Sequence, residues 1–422
     1  MLINELMKEF SQLPELLDVE QSLQSVNKKT KIQASTTAIP LLISNIWKKE
    51  KERMLVIVPE ESEARNLSEQ LKFWSLNTDD VYHYPSNDAL PYQEGDSDIE
   101  ATHQRVNTLF RRQKEKNQVL VIASIGAVLQ KTISPVILKN MKNYIEIQQE
   151  FRQKEQLGKW TSSGYIFQPF VKNPGEFSIR GGIIDIFPVG SSAPFRIELW
   201  GDFVDSIRTF DPESQRSVEE KNCFIVPPAQ EIIVDQMFKK KIHDLFDNLN
   251  FKNCKKEIEE KILKGLQDLS DLNNRHLEEM ISGNLKNGNI LDYFSKNSTV
   301  ILIKSSQIQS KAFSSEKKDQ GIRNSLESRG KIPSGILSRI SSWIDIEEKI
   351  QSANKRIEID SYLNLEEGFN PYIKIFSSMP NSYNGDLQRF SQDIVNAAEI
   401  NSEVYIFTSA PNRIKESLST KF

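Results

Sequence analysis

Three short apolar runs, "RMLVIVP" (53–59), "DVYHYPS" (80–86) and "NQVLVIAS" (117–124), constrain this chain more than any other feature. Each has the length of a strand buried on both sides. Between them lie two helical patterns, "EESEARNLSEQLKFW" (60–74) and "IEATHQRVNTLFRRQ" (99–113). A third, "STTAIPLLISNIWKKEK" (35–51), precedes them, with Ser35 or Thr36 placed as its cap and Pro40 still near its first turn. Strands alternating with helices imply a parallel sheet covered on both faces.

From about 131 to 217 the pattern changes. Strand runs come closer together, as "GEFSIR", "IIDIFP", "PFRIELW" and "VDSIRTFD", punctuated by Gly, Pro and Asp. The pairs Gly181-Gly182 and Gly201-Asp202 fall where two-residue hairpin turns belong, so this stretch reads as a small antiparallel insertion. Long helical patterns return beyond Glu219, and "STVILIK" (298–304) predicts that the first sheet resumes there. Residues 305–335 are polar without a clear period and read as a long loop or a mobile helix. The last piece, from about 350, has one helical run (386–399) and a strand-like "EVYIFTS" (403–409). A length of 422 residues allows about three domains. The expected division is a discontinuous α/β domain over 1–130 and 218–345, the insertion over 131–217, and a small C-terminal α/β domain over 346–422.

The first region has the order of a RecA-like nucleotide-binding domain, which needs a glycine-rich loop to cradle phosphates and a lysine to reach them. That loop would fall in "KKTKIQASTTAIP" (28–40), which contains no glycine. No G-x-x-x-x-G-K-[ST] pattern occurs elsewhere; Lys159 in "LGKW" lacks the upstream glycine and is followed by Trp160. An acidic pair for Mg²⁺ is expected after "STVILI", where Lys304-Ser305-Ser306 stands instead. The fold class is therefore α/β: a degenerate RecA-like, P-loop NTPase-type parallel-sheet domain with an inserted antiparallel α+β domain and a small C-terminal α/β domain. No catalytic residue, cofactor or metal site is expected.

Composition narrows the remaining classes. Formal net charge is −4, so no global basic field draws the chain onto nucleic acid. The basic stretches "FRRQKEK" (110–116) and "KKKIHD" (239–244), and the carboxylates Glu60/Glu61 and Glu257/Glu259/Glu260, read as solvated helix faces. Cys223 and Cys254 have no CxxC spacing, and His83, His103, His243 and His276 are scattered, which argues against a disulfide scaffold and a zinc site. The N-terminal "MLINELMKEFSQLPELL" is an acidic amphipathic helix rather than a signal peptide, and no run of about 18 apolar residues occurs. The expected location is the cytoplasm, with no membrane contact.

The stretch "GEFSIRGGIIDIFPVGSSAPFRIELWGDFVDSIRTFDPESQRSV" (175–218) resembles domain 2 of the UvrB-like module found in transcription-repair coupling factors, the Mfd family. Gly175, Glu176, Arg180, Gly181, Asp185, Phe187, Pro188, Arg196, Glu198, Asp202, Arg208, Phe210, Asp211, Gln215 and Arg216 match its pattern. "YPSNDALPYQEGDSDIEATHQRVNTL" (84–109) and "NGNILDYFSKNSTVILI" (287–303) are similar to two further segments of that module. UvrB itself carries an intact phosphate loop, so its lack here favours the coupling factors. The resemblance implies a UvrB-like domain 1 over 1–130 and 218–345, a UvrA-binding domain 2 over 131–217, and a linker-type domain over 346–422. It implies UvrA as partner, with ATP, Mg²⁺, RNA polymerase and DNA handled by family domains beyond this chain. On this reading the chain is a fragment, a split form or a truncation without the translocase motor. The alternatives are a UvrB-like ATP-dependent damaged-DNA-binding protein, and a DNA-binding module using "FRRQKEK".

Strand alternation gives the resemblance a surface. If Phe177 and Ile179 face the core, Glu176, Ser178 and Arg180 face out. After the turn, Ile184 and Ile186 face in, with Asp185 and Phe187 out. In "FRIELW", Arg196, Glu198 and Trp200 face out. The candidate partner-binding residues are Glu176, Arg180, Asp185, Phe187, Arg196, Glu198 and Arg208, the last with its facing open. Exposed arginine beside aromatic residues is the composition of an interface hot spot. The competing reading pairs Arg180 and Arg196 internally with Asp185 and Glu198.

Overall fold

The computed structural model describes residues 2–24, 28–50, 53–75, 79–87, 92, 98–112, 118–141, 143–234, 236–270, 278–294, 296–361, 373–376, 381–400, 402–408 and 410–419. Most of "FRRQKEK", and part of the 84–109 segment, lie outside the described residues.

The three apolar runs form strands as expected, β2 (Met54–Val58), β3 (Val81–Tyr84) and β4 (Leu120–Ser124), and a strand not read from the sequence, β1 (Lys28–Gln33), precedes them. After the insertion come β13 (Thr299–Ile303), β14 (Lys355–Asp360) and β15 (Ile373–Lys374). They join into one parallel sheet in the order β15-β1-β14-β13-β2-β4-β3. Alternate side chains of each strand serve opposite cores. Met54, Val56 and Val58 pack under the helices Ile39–Glu50 and Glu61–Ser75. Leu55 and Ile57 pack under Ile99–Arg112, Ser305–Ser328 and Trp343–Gln351. The β1–helix connection, where a phosphate loop would stand, is a short turn in which the Ala38 N–H donates to Ser35 O at 3.0 Å.

One expectation is corrected here, and for residues 305–335 the helix is the one of the two readings that forms. Residues 346–361 do not begin a separate C-terminal domain. The Trp343–Gln351 helix packs in the sheet's core, and β14 lies between β1 and β13 with Ile357 and Ile359 fully buried. The polar-looking 305–335 stretch starts with a 24-residue helix, Ser305–Ser328, docked through Ile308 and Ala312. Further on, the Leu387–Glu399 helix appears as read. Residues 402–408 form no strand; Phe407 packs against Phe73 and Trp74 at centroid distances of 5.5 Å.

The insertion builds its own sheet from β6 (Ile166–Phe167), β7 (Glu176–Arg180), β8 (Ile183–Ile186), β9 (Phe195–Trp200), β10 (Phe203–Phe210) and β11 (Ser217–Glu220). The order is β11-β10-β9-β8-β7-β6, antiparallel except for β6 beside β7. Both predicted turns form, with Gly181 at φ +62°, a region open to glycine without strain. A second pair, β5 (Asn143–Glu146) with β12 (Cys223–Val226), closes the core around Trp160, Phe177, Ile184, Ile197 and Phe224. The insertion therefore runs past the expected end at 217, because Phe224, Val226 and Ala229 share its core.

The chain leaves for the insertion near Thr132 and returns near Glu231, and one buried charge cluster holds both points. Arg105 donates to Glu231 Oε1 (2.9 Å), Pro85 O (3.0 Å) and Gln130 Oε1 (3.1 Å). Glu231 also accepts from Thr132 Oγ1 (2.6 Å) and Lys286 Nζ (2.6 Å). Burial alone would raise the Glu231 carboxyl, but Arg105 and Lys286 overcome it and hold it at about 2.

Candidate docking face

The outer face of the inserted sheet is set by register. Ser178, Asp185, Arg196, Arg208 and Glu220 stand in one row across five strands. Arg180, Ile183, Glu198 and Ser206 form the next row, and Trp200 pairs with Phe203 at the hairpin end. The register slips between Val204 and Ser206, so Asp205 is a bulge. That one-residue slip turns Arg208 onto the same face as Arg196, which strict alternation could not decide.

Asp185 is fully buried beneath this face, not exposed as expected. Its carboxylate accepts from Arg180 Nη2 (2.6 Å) and from Arg196 Nε and Nη2 (2.8 and 2.9 Å). Two arginines desolvate it and satisfy it together, as a buried carboxylate requires. Arg196 also donates to Gln215 O (3.2 Å) and lies 4.7 Å from the Phe210 ring centroid. Arg180 keeps 43 % of its side chain exposed and sits 5.3 Å over Phe170. Glu198 accepts from Ser206 Oγ (3.0 Å) and Arg208 Nη1 (3.2 Å), and Arg208 reaches Glu220 at 3.5 Å. The internal pairing therefore forms at Asp185 but not at Glu198, which takes Arg208 instead, and Arg180 stays partly exposed.

Phe187 is corrected as well. It is buried with Val171 and Phe210 under the segment that follows β6, where Gln215 Nε2 donates to Val171 O (3.2 Å). Glu176 braces that same segment by accepting from the Lys172 and Asn173 N–H groups (2.8 and 2.9 Å). Burial works to raise the Glu176 carboxyl, and those backbone donors hold it below its ordinary value. The exposed apolar residues of the face include Trp200 (82 %), Phe203 (55 %) and Ile183. Ile183 and Phe203 were not among the expected site residues. The signal for Ile183 is "GGII": two successive isoleucines in a strand cannot both face the core.

Among the described residues no group of three or more His, Cys, Asp or Glu side chains is placed to hold a metal ion. Nor is any described helix long and apolar enough to cross a membrane.

This geometry coincides with a family match. Residues 144–232, which take in the inserted sheet and nearly all of its β5–β12 pair, match the UvrB interaction domain. The chain is similar to the transcription-repair-coupling factors. It is 30% identical over 195 residues to that of Haemophilus influenzae, covering 46% of this chain and 17% of the relative. The Myxococcus xanthus protein is 28% identical over 186 residues, 43% of this chain and 16% of its own length. The Bacillus subtilis protein is 28% identical over 263 residues, 60% of this chain and 22% of its own length. The matches thus span about a fifth of each relative.

Proposed function

We propose that this chain is a non-catalytic docking module that recruits UvrA, through its UvrB interaction domain, for repair coupled to stalled transcription. The observation that carries the reading is the buried Asp185, which fixes Arg180 and Arg196 on a face that ends in exposed Trp200 and Phe203. Oriented arginine beside exposed aromatic side chains is an interface anchor whose rotamer is set before the partner arrives. On this reading contacts with RNA polymerase and DNA belong to other parts of the coupling factors, and this chain works in the cytoplasm without a cofactor.

The test is a binding titration of the purified chain with UvrA. Arg180→Ala should weaken the complex by about 2 kcal/mol, roughly thirtyfold. Unchanged affinity would remove the site. The competing UvrB-like ATPase is separated by a calorimetric titration with Mg-ATP, where saturable heat would favour it.

A further inference from the structure

The two edges of the inserted sheet differ in chemistry. At one end β11 reads Ser217-Val218-Glu219-Glu220, all exposed, and its carboxylates guard it against strand pairing. At the other end β6 carries Ile166 (46 % exposed) and Phe167 (55 %), with exposed Phe170 three residues on. No charged side chain stands in β6 itself.

The β6 backbone is half used. Ile166 N donates to Gly175 O (2.9 Å) and Gln168 N to Phe177 O (2.8 Å), so these two residues turn their polar groups to β7. Phe167 lies between them, and its N–H and C=O point outward, where the sheet ends. Beside this edge a cleft of about 350 Å³ opens between the Ile99–Arg112 helix and the insertion. Ile166 belongs to both edge and cleft; Ile99, Thr102 and Ile232 supply further walls. Gln230 in its lining is buried, yet its Oε1 has no hydrogen-bond partner.

The geometry points to strand addition: β6 accepts an extended segment of the partner polypeptide, with one apolar side chain entering the cleft. The incoming backbone bonds the outward N–H and C=O of Phe167. The segment is assigned to UvrA because the edge is continuous with the docking face through Phe170, on which Arg180 rests. This inference rests on the function proposed above.

The test uses the full chain and purified UvrA, with hydrogen exchange read at single-residue resolution. On binding, exchange at the Phe167 amide should slow at least about tenfold, while Ile166 and Gln168, already bonded to β7, change little. Phe167→Pro deletes the outward donor together with the ring that packs on Phe177 (5.8 Å between centroids), so Phe167→Ala, which keeps the N–H, is the control. The proline variant should bind about tenfold more weakly than the alanine variant, with an unchanged circular dichroism spectrum, and equal binding by the two would count against strand addition. If UvrA binds and Arg180→Ala weakens it, but the Phe167 amide exchanges at its free rate, strand addition is wrong and the docking reading stands. If wild-type chain does not bind UvrA, both fall.

Discussion

Arg105 Nε lies 2.9 Å from Glu231 Oε1, and neither side chain reaches solvent. The pair joins a helix of the large domain to the point where the chain returns from the insertion. Removing Arg105 takes away one of the two cations that neutralise the buried Glu231 carboxylate, leaving Lys286 to hold it. Arg105→Ala should therefore cost about 3–5 kcal/mol, measured by urea unfolding at neutral pH. A loss below about 1 kcal/mol would show that water or Lys286 replaces the arginine.

The same carboxyl sets a pH dependence. Its folded value, about 2, lies below the ordinary 4.5, so its contribution is complete above that ordinary value. Stability should decline as pH falls through the range between them. Unfolding midpoints at pH 7 and pH 3.5 should separate less in Glu231→Gln than in wild type, and an identical separation would contradict the assignment.

Asp185 and Phe187 lie two residues apart and fail differently when truncated. Phe187→Ala opens a small apolar cluster with Val171 and Phe210 and should cost about 3 kcal/mol, with Phe187→Leu costing less. Asp185→Ala removes charged hydrogen bonds and should cost about 2 kcal/mol. It also frees Arg180, so partner affinity should drop together with stability. Thermal unfolding beside a binding titration separates the two effects.

Trp200 and Phe203 offer the opposite signature. Both are mostly exposed at the hairpin end, so truncating either to Ala should change stability by less than about 0.5 kcal/mol. Loss of partner binding with an unshifted melting curve would mark them as contacts. A large stability loss would instead mark them as structural.

Gly190 sits at φ +76°, and a Cβ there would lie 2.1 Å from Asn107 Oδ1, which Arg111 holds at 3.1 Å. Gly190→Ala should destabilise by about 1–3 kcal/mol through strain and the displaced amide. Adding Asn107→Ala should recover part of that loss; strict additivity would show that the contact is not the cause.

What the sequence reveals here follows from how local the determining physics is. β2 and β4 are legible because strands buried on both faces are apolar throughout. β14 is not, because Lys355, Arg356 and Glu358 interleave its isoleucines and Lys29 pairs with Glu358 at 2.6 Å from β1. Alternation finds the outer face of the insertion, including Arg180 and Arg196. It misplaces Phe187 because the cover comes from Val171 and Phe210, distant in sequence. Arg208 is undecidable until the bulge at Asp205 is seen.

The position of β14 also sets an order of events on the ribosome. β1 pairs along its whole length with β14, which emerges roughly 300 residues later. At about 5–20 residues per second, that delay is roughly 15–60 seconds. The insertion, whose strands pair with near neighbours in sequence, can complete its hairpins within that interval. The nascent large domain can thus carry a finished inserted sheet while β1 still lacks that neighbour and keeps one edge open to other strands.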